Sequence, residues 1–116
     1  MKTVLVAEDE YALQSVLAMT LEASGYAVRR AGDGEQALQV LRQGGIDLVL
    51  ADSTMPIAGG RQIYAEMQAS PALRAIPFLL MLAAHEAQSG IGVPIVRKPF
   101  GMGTLLDAVR RTLGGG

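Results

Sequence analysis

Three acidic positions and one lysine are the residues of this chain whose types and spacing suit chemistry: the pair Glu8-Asp9, the lone Asp52, and Lys98. Each follows a short, mainly apolar run: Val4-Leu5-Val6-Ala7, then Leu48-Val49-Leu50-Ala51, then Ile95-Val96-Arg97. Runs this short read as strands, and the uniformly apolar Leu48 to Ala51 as one buried on both faces of a parallel sheet. Open α/β sheets bind and react with ligands at the carboxyl ends of their strands. If these ends are neighbours, three carboxylates and one ammonium surround a single crevice. Crowded carboxylates raise one another's pKa unless a cation shares them, and an all-oxygen set suits a hard ion such as Mg²⁺, which keeps several waters. Taken singly, each residue has a plainer reading. Glu8-Asp9-Glu10 is then a solvated helix entrance, where negative charge suits the dipole; Asp52 is a loop or cap aspartate, and Lys98 a surface lysine. Their coincidence at three strand ends, with Pro56 keeping a helix from starting directly after Asp52, points to a site.

The elements that must position these residues alternate short apolar runs with stretches of helical period. Thr3 to Ala7 is predicted as the first strand, and Tyr11 to Ser24 as a helix with Leu13, Val16, Leu17 and Leu21 at near-helical spacing, closed by Gly25. Ala27 to Ala31 is a second strand whose two arginines suit an edge, and Asp33 with Gln36 predicts a capping box for a helix from Glu35 to Gln43. A third strand, Leu48 to Ala51, leads through Gly59-Gly60 to a helix from about Arg61 to Ala69. Phe78 to Ala83 and Pro94 to Arg97 are strands four and five, and Met102, Leu105, Leu106, Val109 and Leu113 mark one face of a last helix before a fraying tail, Gly114 to Gly116. Repeated β-then-α units imply right-handed crossovers, hence a doubly wound, flavodoxin-like α/β domain over residues 1–113. Its five parallel strands would be ordered 2-1-3-4-5, which sets the three strand ends side by side. Only about ten residues, Ala84 to Val93, separate strands four and five, fewer than a parallel crossover normally takes. The fourth helix is therefore absent or reduced to a turn.

Composition narrows the functions. The chain of 116 residues, 50% hydrophobic, is long enough to bury one core without staples. It has no cysteine and a single histidine, which excludes disulfides, thiol catalysis and Cys- or His-rich metal sites and suits a reducing cytoplasm. No apolar run is long enough for a membrane span. A net charge of −1, with its basic residues scattered, gives no stripe for nucleic acid.

Over its whole length the chain resembles a response-regulator receiver domain of bacterial two-component signalling. The resemblance rests on Val4-Leu5-Val6-Ala7-Glu8-Asp9-Glu10, on Asp47 to Pro56 with Asp-x-x-Met-Pro, on Gly60 eight residues after the aspartate, and on Lys98-Pro99-Phe100. It implies that Asp52 is the phosphoacceptor, that Asp9 binds Mg²⁺ directly while Glu8 acts mainly through metal-bound water, and that Thr54 lends its backbone carbonyl. Lys98 would pair with the phosphoryl group, Pro99 would follow a cis peptide bond that aims the lysine inward, and Gly60 would permit a tight loop. The donor would be a phosphohistidine on a histidine kinase or histidine phosphotransfer protein, and the output an interaction with another protein. Independently of the resemblance, phosphoryl transfer needs charge neutralisation and in-line positioning, which a divalent ion and a lysine give to an aspartyl nucleophile.

Departures from the family pattern leave alternatives open. Ala83 stands where receivers usually place a Ser or Thr, and Ile95 where an aromatic switch usually sits three residues before the lysine. His85 lies near a position that tunes phosphoryl lifetime in the family, and also reads as an exposed loop histidine. The first reading is an atypical stand-alone receiver. The second is a pseudo-receiver, an interaction module that keeps the fold without the phosphorylation cycle. A flavin-binding protein of the same fold is disfavoured because Glu8-Asp9-Glu10 would repel a flavin phosphate. A haloacid-dehalogenase-like phosphatase wants a second acid where Thr54 stands.

Overall fold

Alternation along buried strands decides the layers. A computed structural model describes residues 1–87 and 91–114, and in it β1 (Thr3–Ala7), β2 (Ala27–Ala31), β3 (Leu48–Asp52), β4 (Phe78–Leu82) and β5 (Ile95–Arg97) form one parallel sheet. The strand order is β2-β1-β3-β4-β5. Every residue of β3 and β4 is buried, as strands covered on both faces must be. One face carries Leu5, Ala7, Val49, Ala51, Leu80 and Leu82, packed against α2 (Gly34–Arg42) and α3 (Gly60–Gln68). The other carries Val4, Val6, Leu48, Leu50, Leu79 and Met81, against α1 (Tyr11–Ala23) and α4 (Met102–Gly114). In register, Ala7 lies beside Ala51 and Asp52 beside Met81, so the chain leaves β1 and β3 at neighbouring points on the same rim.

Several boundaries differ from the sequence reading, each for a local reason. α1 ends at Ala23 because Gly25, at φ +95°, closes it: the N–H groups of Gly25 and Tyr26 donate to the carbonyls of Glu22 and Leu21. α2 runs from Gly34 to Arg42, one residue earlier than predicted. Asp33 caps it by accepting from the Gln36 N–H at 2.8 Å, but the Gln36 side chain accepts from Gly32 rather than Asp33, so the reciprocal arm of the box is displaced by one residue. α3 likewise begins at Gly60 and ends at Gln68, because the Gln62 side chain accepts from the Gly59 N–H at 2.7 Å and fixes the entrance there. β3 extends one residue further than predicted, to Asp52. β4 stops at Leu82, since the Ala83 N–H turns to the side chain of Glu86. β5 begins at Ile95; Pro94 contributes only its carbonyl, which accepts from Leu80. α4 continues through Gly114, so the tail predicted to fray from that residue is helical at its first position, while Gly115 and Gly116 lie outside the described residues.

Among the described residues no helix connects β4 to β5. The connection opens with one turn, in which the Glu86 N–H donates to the Ala83 carbonyl at 3.1 Å. Ile91 and Val93 then pack at the margin of the core; residues 88–90 of the predicted helix-free segment lie outside the described residues.

Close backbone contact holds the loop after β3. A Cβ on Gly59 would stand 2.2 Å from the Ser53 carbonyl oxygen, and one on Gly60 2.6 Å from Leu80 Cδ1 and 2.8 Å from the Asp52 carbonyl oxygen. Because Gly59 faces backbone rather than a flexible side chain, Gly59→Ala is expected to destabilise the protein by roughly 3 kcal/mol. Gly101→Ala, where no atom lies within 4 Å of the new Cβ, should change stability by less than about 0.5 kcal/mol. Denaturant midpoints of the two variants test this contrast, and equal midpoints would contradict it.

Candidate functional site

The rim formed by the ends of β1, β3 and β5 brings together Glu8, Asp9, Asp52 and Lys98. Carboxylate oxygens of Glu8, Asp9 and Asp52 all lie within 4.8 Å of one another. Glu8 is 1% exposed and Asp52 7%, whereas Asp9 faces solvent. The Lys98 ammonium bridges the two buried acids, donating to Asp52 Oδ2 at 2.8 Å and to Glu8 Oε1 at 3.1 Å. Their other oxygens are also engaged: Glu8 Oε2 accepts from the Glu10 N–H at 3.1 Å, and Asp52 Oδ1 from the Thr54 N–H at 3.3 Å. Lys98 is placed by its backbone, whose N–H donates to the Leu82 carbonyl at 2.8 Å, and the Lys98–Pro99 peptide bond is cis. Thr54 is exposed just beyond Asp52. Ala83 follows β4 directly and offers no hydroxyl, and Ile95 is half-buried at the margin of the core. His85 is exposed.

Three carboxylates converging on one point, one of them open to solvent, form an all-oxygen donor set that fits a hard divalent ion retaining water. At Glu8 burial dominates the electrostatics, with the neighbouring Asp52 charge a smaller contribution. Burial pushes the Glu8 carboxyl up from its ordinary 4.5; the Glu10 N–H opposes this, the Asp52 charge adds to it, Lys98 opposes it, and the outcome is about 7. Burial alone would lower the pKa of the Lys98 ammonium, but hydrogen bonds from it to Asp52 and Glu8 outweigh burial and raise it.

The Glu8 shift has a definite sign in stability. Between about pH 4.5 and 7 the folded protein holds a proton on Glu8 that the unfolded chain has released. Metal-free stability should therefore fall as pH rises through that window, by up to about 1.4 kcal/mol per pH unit from this group. Urea unfolding in a chelator at pH 5 and pH 7.5 measures the loss, and Glu8→Gln should flatten it. An equally steep loss in Glu8→Gln would assign it elsewhere.

Three residues of this rim escaped the sequence reading. Gln14 is 8% exposed; its amide donates to the carbonyls of Glu8 (2.9 Å) and Ala31 (3.1 Å), fastening the ends of β1 and β2 together. The signal available was a glutamine three and seven residues before Leu17 and Leu21 on a buried helix face. Ser53 and Glu86 form the second pair: Ser53 Oγ donates to Glu86 Oε1 at 2.5 Å, which also accepts the Ala83 N–H at 2.8 Å. An acid three residues after Ala83, where the chain leaves β4, has the spacing of one arm of a capping box.

Comparison with known proteins gives one consistent result. The response regulator receiver domain family matches residues 4–110. The response regulator GtcR of Aneurinibacillus migulanus is 32% identical across 95% of this chain and 46% of its own length, and the chain spans about half the length of the curated relatives it matches. The receiver domain of a signal transduction histidine kinase from Syntrophus aciditrophicus superposes with a TM-score of 0.90 at 25% identity, over 99% of this chain and 92% of that one. The receiver domain of the sensor histidine kinase PA1611 from Pseudomonas aeruginosa PAO1, solved with a magnesium ion in its active-site cleft, superposes with a TM-score of 0.87 at 26% identity, over 97% and 98%. By fold, by sequence and by the acidic cluster at the strand ends, the chain belongs to the response regulator receiver domain family, the signalling modules of two-component systems.

Proposed function

We propose that this receiver accepts a phosphoryl group on Asp52 from a phosphohistidine, in a Mg²⁺-dependent reaction that it promotes itself, and signals by binding another protein. The observation that carries the reading is the placement of Lys98 Nζ at 2.8 Å from Asp52 Oδ2, beside three carboxylates within 4.8 Å of one another. An acceptor needs an oxygen nucleophile already held, and cations to absorb charge on the arriving phosphoryl oxygens. Asp9 and Asp52, with the backbone carbonyl of Thr54, would hold Mg²⁺, and Glu8 would act through its water. Bound there, the ion would supply charge neutralisation for the phosphoryl group. Asp52 contributes the attacking oxygen: an O–P bond forms, the N–P bond to the imidazole breaks, and the leaving nitrogen keeps the electron pair. Lys98 remains on the side of the newly bonded group. Gly60 and Pro99 serve by shaping the backbone beside Asp52 and Lys98.

Transfer from a phosphorylated histidine phosphotransfer domain is the test. The label should move to this chain in Mg²⁺, stay on the donor in a chelator, and fail to move to Asp52→Asn. A second reading, a pseudo-receiver that binds partners without the phosphorylation cycle, is favoured by Ala83 and Ile95 standing at the usual hydroxyl and aromatic positions. Failure of transfer from every histidine donor and small phosphodonor would select it.

A further inference from the structure

The β4–β5 connection, which shows no helix among the described residues, is held by charge. Glu86 sits at its first turn and reaches three elements. Its Oε1 accepts from Ser53 Oγ at 2.5 Å and from the Ala83 N–H at 2.8 Å; its Oε2 faces Arg61 Nη1, in the first turn of α3, at 3.2 Å. Its backbone carbonyl accepts from Arg97 Nη1 at 2.6 Å, and the same guanidinium nitrogen reaches the carbonyl of Ala83 at 3.2 Å. Ser53 is only 7% exposed and Glu86 half-buried, so the bond between them is shielded, while Arg61 reaches Glu86 from the more open side. Burial would raise the Glu86 carboxyl, but the bonds from Ser53, Ala83 and Arg61 together hold it below the ordinary carboxylate range. A hydrogen bond to a charged acceptor is shorter and stronger than a neutral one.

Ser53 is also joined to Asp52 through the chain. It follows Asp52 in the chain, its N–H donates to the Met81 carbonyl at 2.9 Å, and Gly59 packs against its carbonyl oxygen, so its position is fixed on three sides. Asp52 Oδ1 meanwhile holds the Thr54 N–H, the next amide along. A group bonded to the Asp52 carboxylate would alter the Oδ1 acceptor of the Thr54 N–H, one residue beyond Ser53.

We propose that Glu86 is a latch that fastens the β4–β5 connection to the strand end bearing Asp52, and that its engagement through Ser53 changes with the state of Asp52. The latch stands where a crossover helix would pack, and gives the connection a two-state element that a loop of this length otherwise lacks. The second half of the proposal rests on Asp52 being the acceptor; the first half does not.

Residue-resolved amide hydrogen exchange separates the two. Without ligand, Glu86→Ala should speed exchange of the Ala83 and Glu86 amides at least tenfold while amides of β1 and β3 stay protected. In wild type, Mg²⁺ with beryllofluoride, a phosphoryl mimic, should change exchange across Ala83 to Ala87 at least fivefold. In Ser53→Ala that distal response should vanish while Asp52 to Thr54 still respond. Wild-type amides at Ala83 and Glu86 that exchange as fast as in Glu86→Ala overturn the latch. A distal response that persists in Ser53→Ala, or is missing from wild type while Asp52 to Thr54 respond, overturns the coupling. If no amide responds to the mimic but Glu86→Ala still loosens the turn, the acceptor reading fails and takes the coupling with it, and the latch stands as a structural clamp.

Discussion

Asp9→Ala is expected to weaken Mg²⁺ binding by roughly a hundredfold or more, with no loss of stability in the metal-free protein. The affinity falls because Asp9 is the one carboxylate of the cluster that faces solvent, and among the described residues neither Lys98 nor a backbone amide holds its side chain. Glu8 and Asp52 already share Lys98, so removing Asp9 leaves an incoming ion with two oxygens partly committed elsewhere. Changes even in groups that only orient metal ligands cost ten- to hundredfold, and loss of a ligand itself costs at least as much. Stability does not fall because Asp9 is exposed and its substitution removes one negative charge from beside the buried Glu8 and Asp52. Calorimetric titration with Mg²⁺ and thermal unfolding in a chelator give the two readouts. Unchanged affinity in Asp9→Ala would remove Asp9 from the ligand set.

Lys98→Ala should act in the opposite direction on the metal. Lys98 is the cation that occupies the crevice in this structure, bridging Asp52 and Glu8. Without it the site is more negative, and Mg²⁺ should bind roughly tenfold more tightly, a gain of about 1.4 kcal/mol. Metal-free stability should drop by about 2 kcal/mol, less than the 3–5 kcal/mol typical of breaking a buried pair. The cost is limited because Glu8, already raised to about 7, takes up a proton in place of the lost ammonium. Phosphoryl acceptance should nevertheless be lost, since tighter metal binding does not replace the second cation beside the nucleophile. Weaker Mg²⁺ binding in Lys98→Ala would show that the lysine orders the acids for the ion rather than competing with it.

Much of this was legible in the chain because the determinants are local. Strands buried on both faces must be apolar throughout, so Leu48 to Ala51 announced itself, and an aspartate directly after such a run can only stand at the sheet rim. Gly25 after an apolar stripe marked the end of α1 for a conformational reason that few other residues satisfy. The length of Ala84 to Val93 was enough to deny a full helix between β4 and β5. What escaped were matters of side-chain direction and long-range pairing. Glu8 and Asp9 looked alike in the sequence, yet the first turns inward to Lys98 and the second faces solvent. The Ser53–Glu86 and Arg97–Glu86 contacts join residues 33 and 11 positions apart, with no periodicity to reveal them. Ile57 illustrates a harder case. It sits at φ +71° with the Ala58 N–H donating to the Pro56 carbonyl at 2.8 Å, a tight turn that β-branched residues rarely enter, so its residue type argued against the conformation it adopts.

The assignment of Asp52 as the acceptor is tested most directly by intact mass after incubation with a small acyl-phosphate or phosphoramidate donor. Wild-type protein should gain one phosphoryl group in Mg²⁺ and none in a chelator, and Asp52→Asn should gain none under either condition, because an amide nitrogen does not replace the carboxylate nucleophile. Equal labelling of Asp52→Asn, or a wild-type protein that stays at its unmodified mass with every donor in Mg²⁺, would contradict the account.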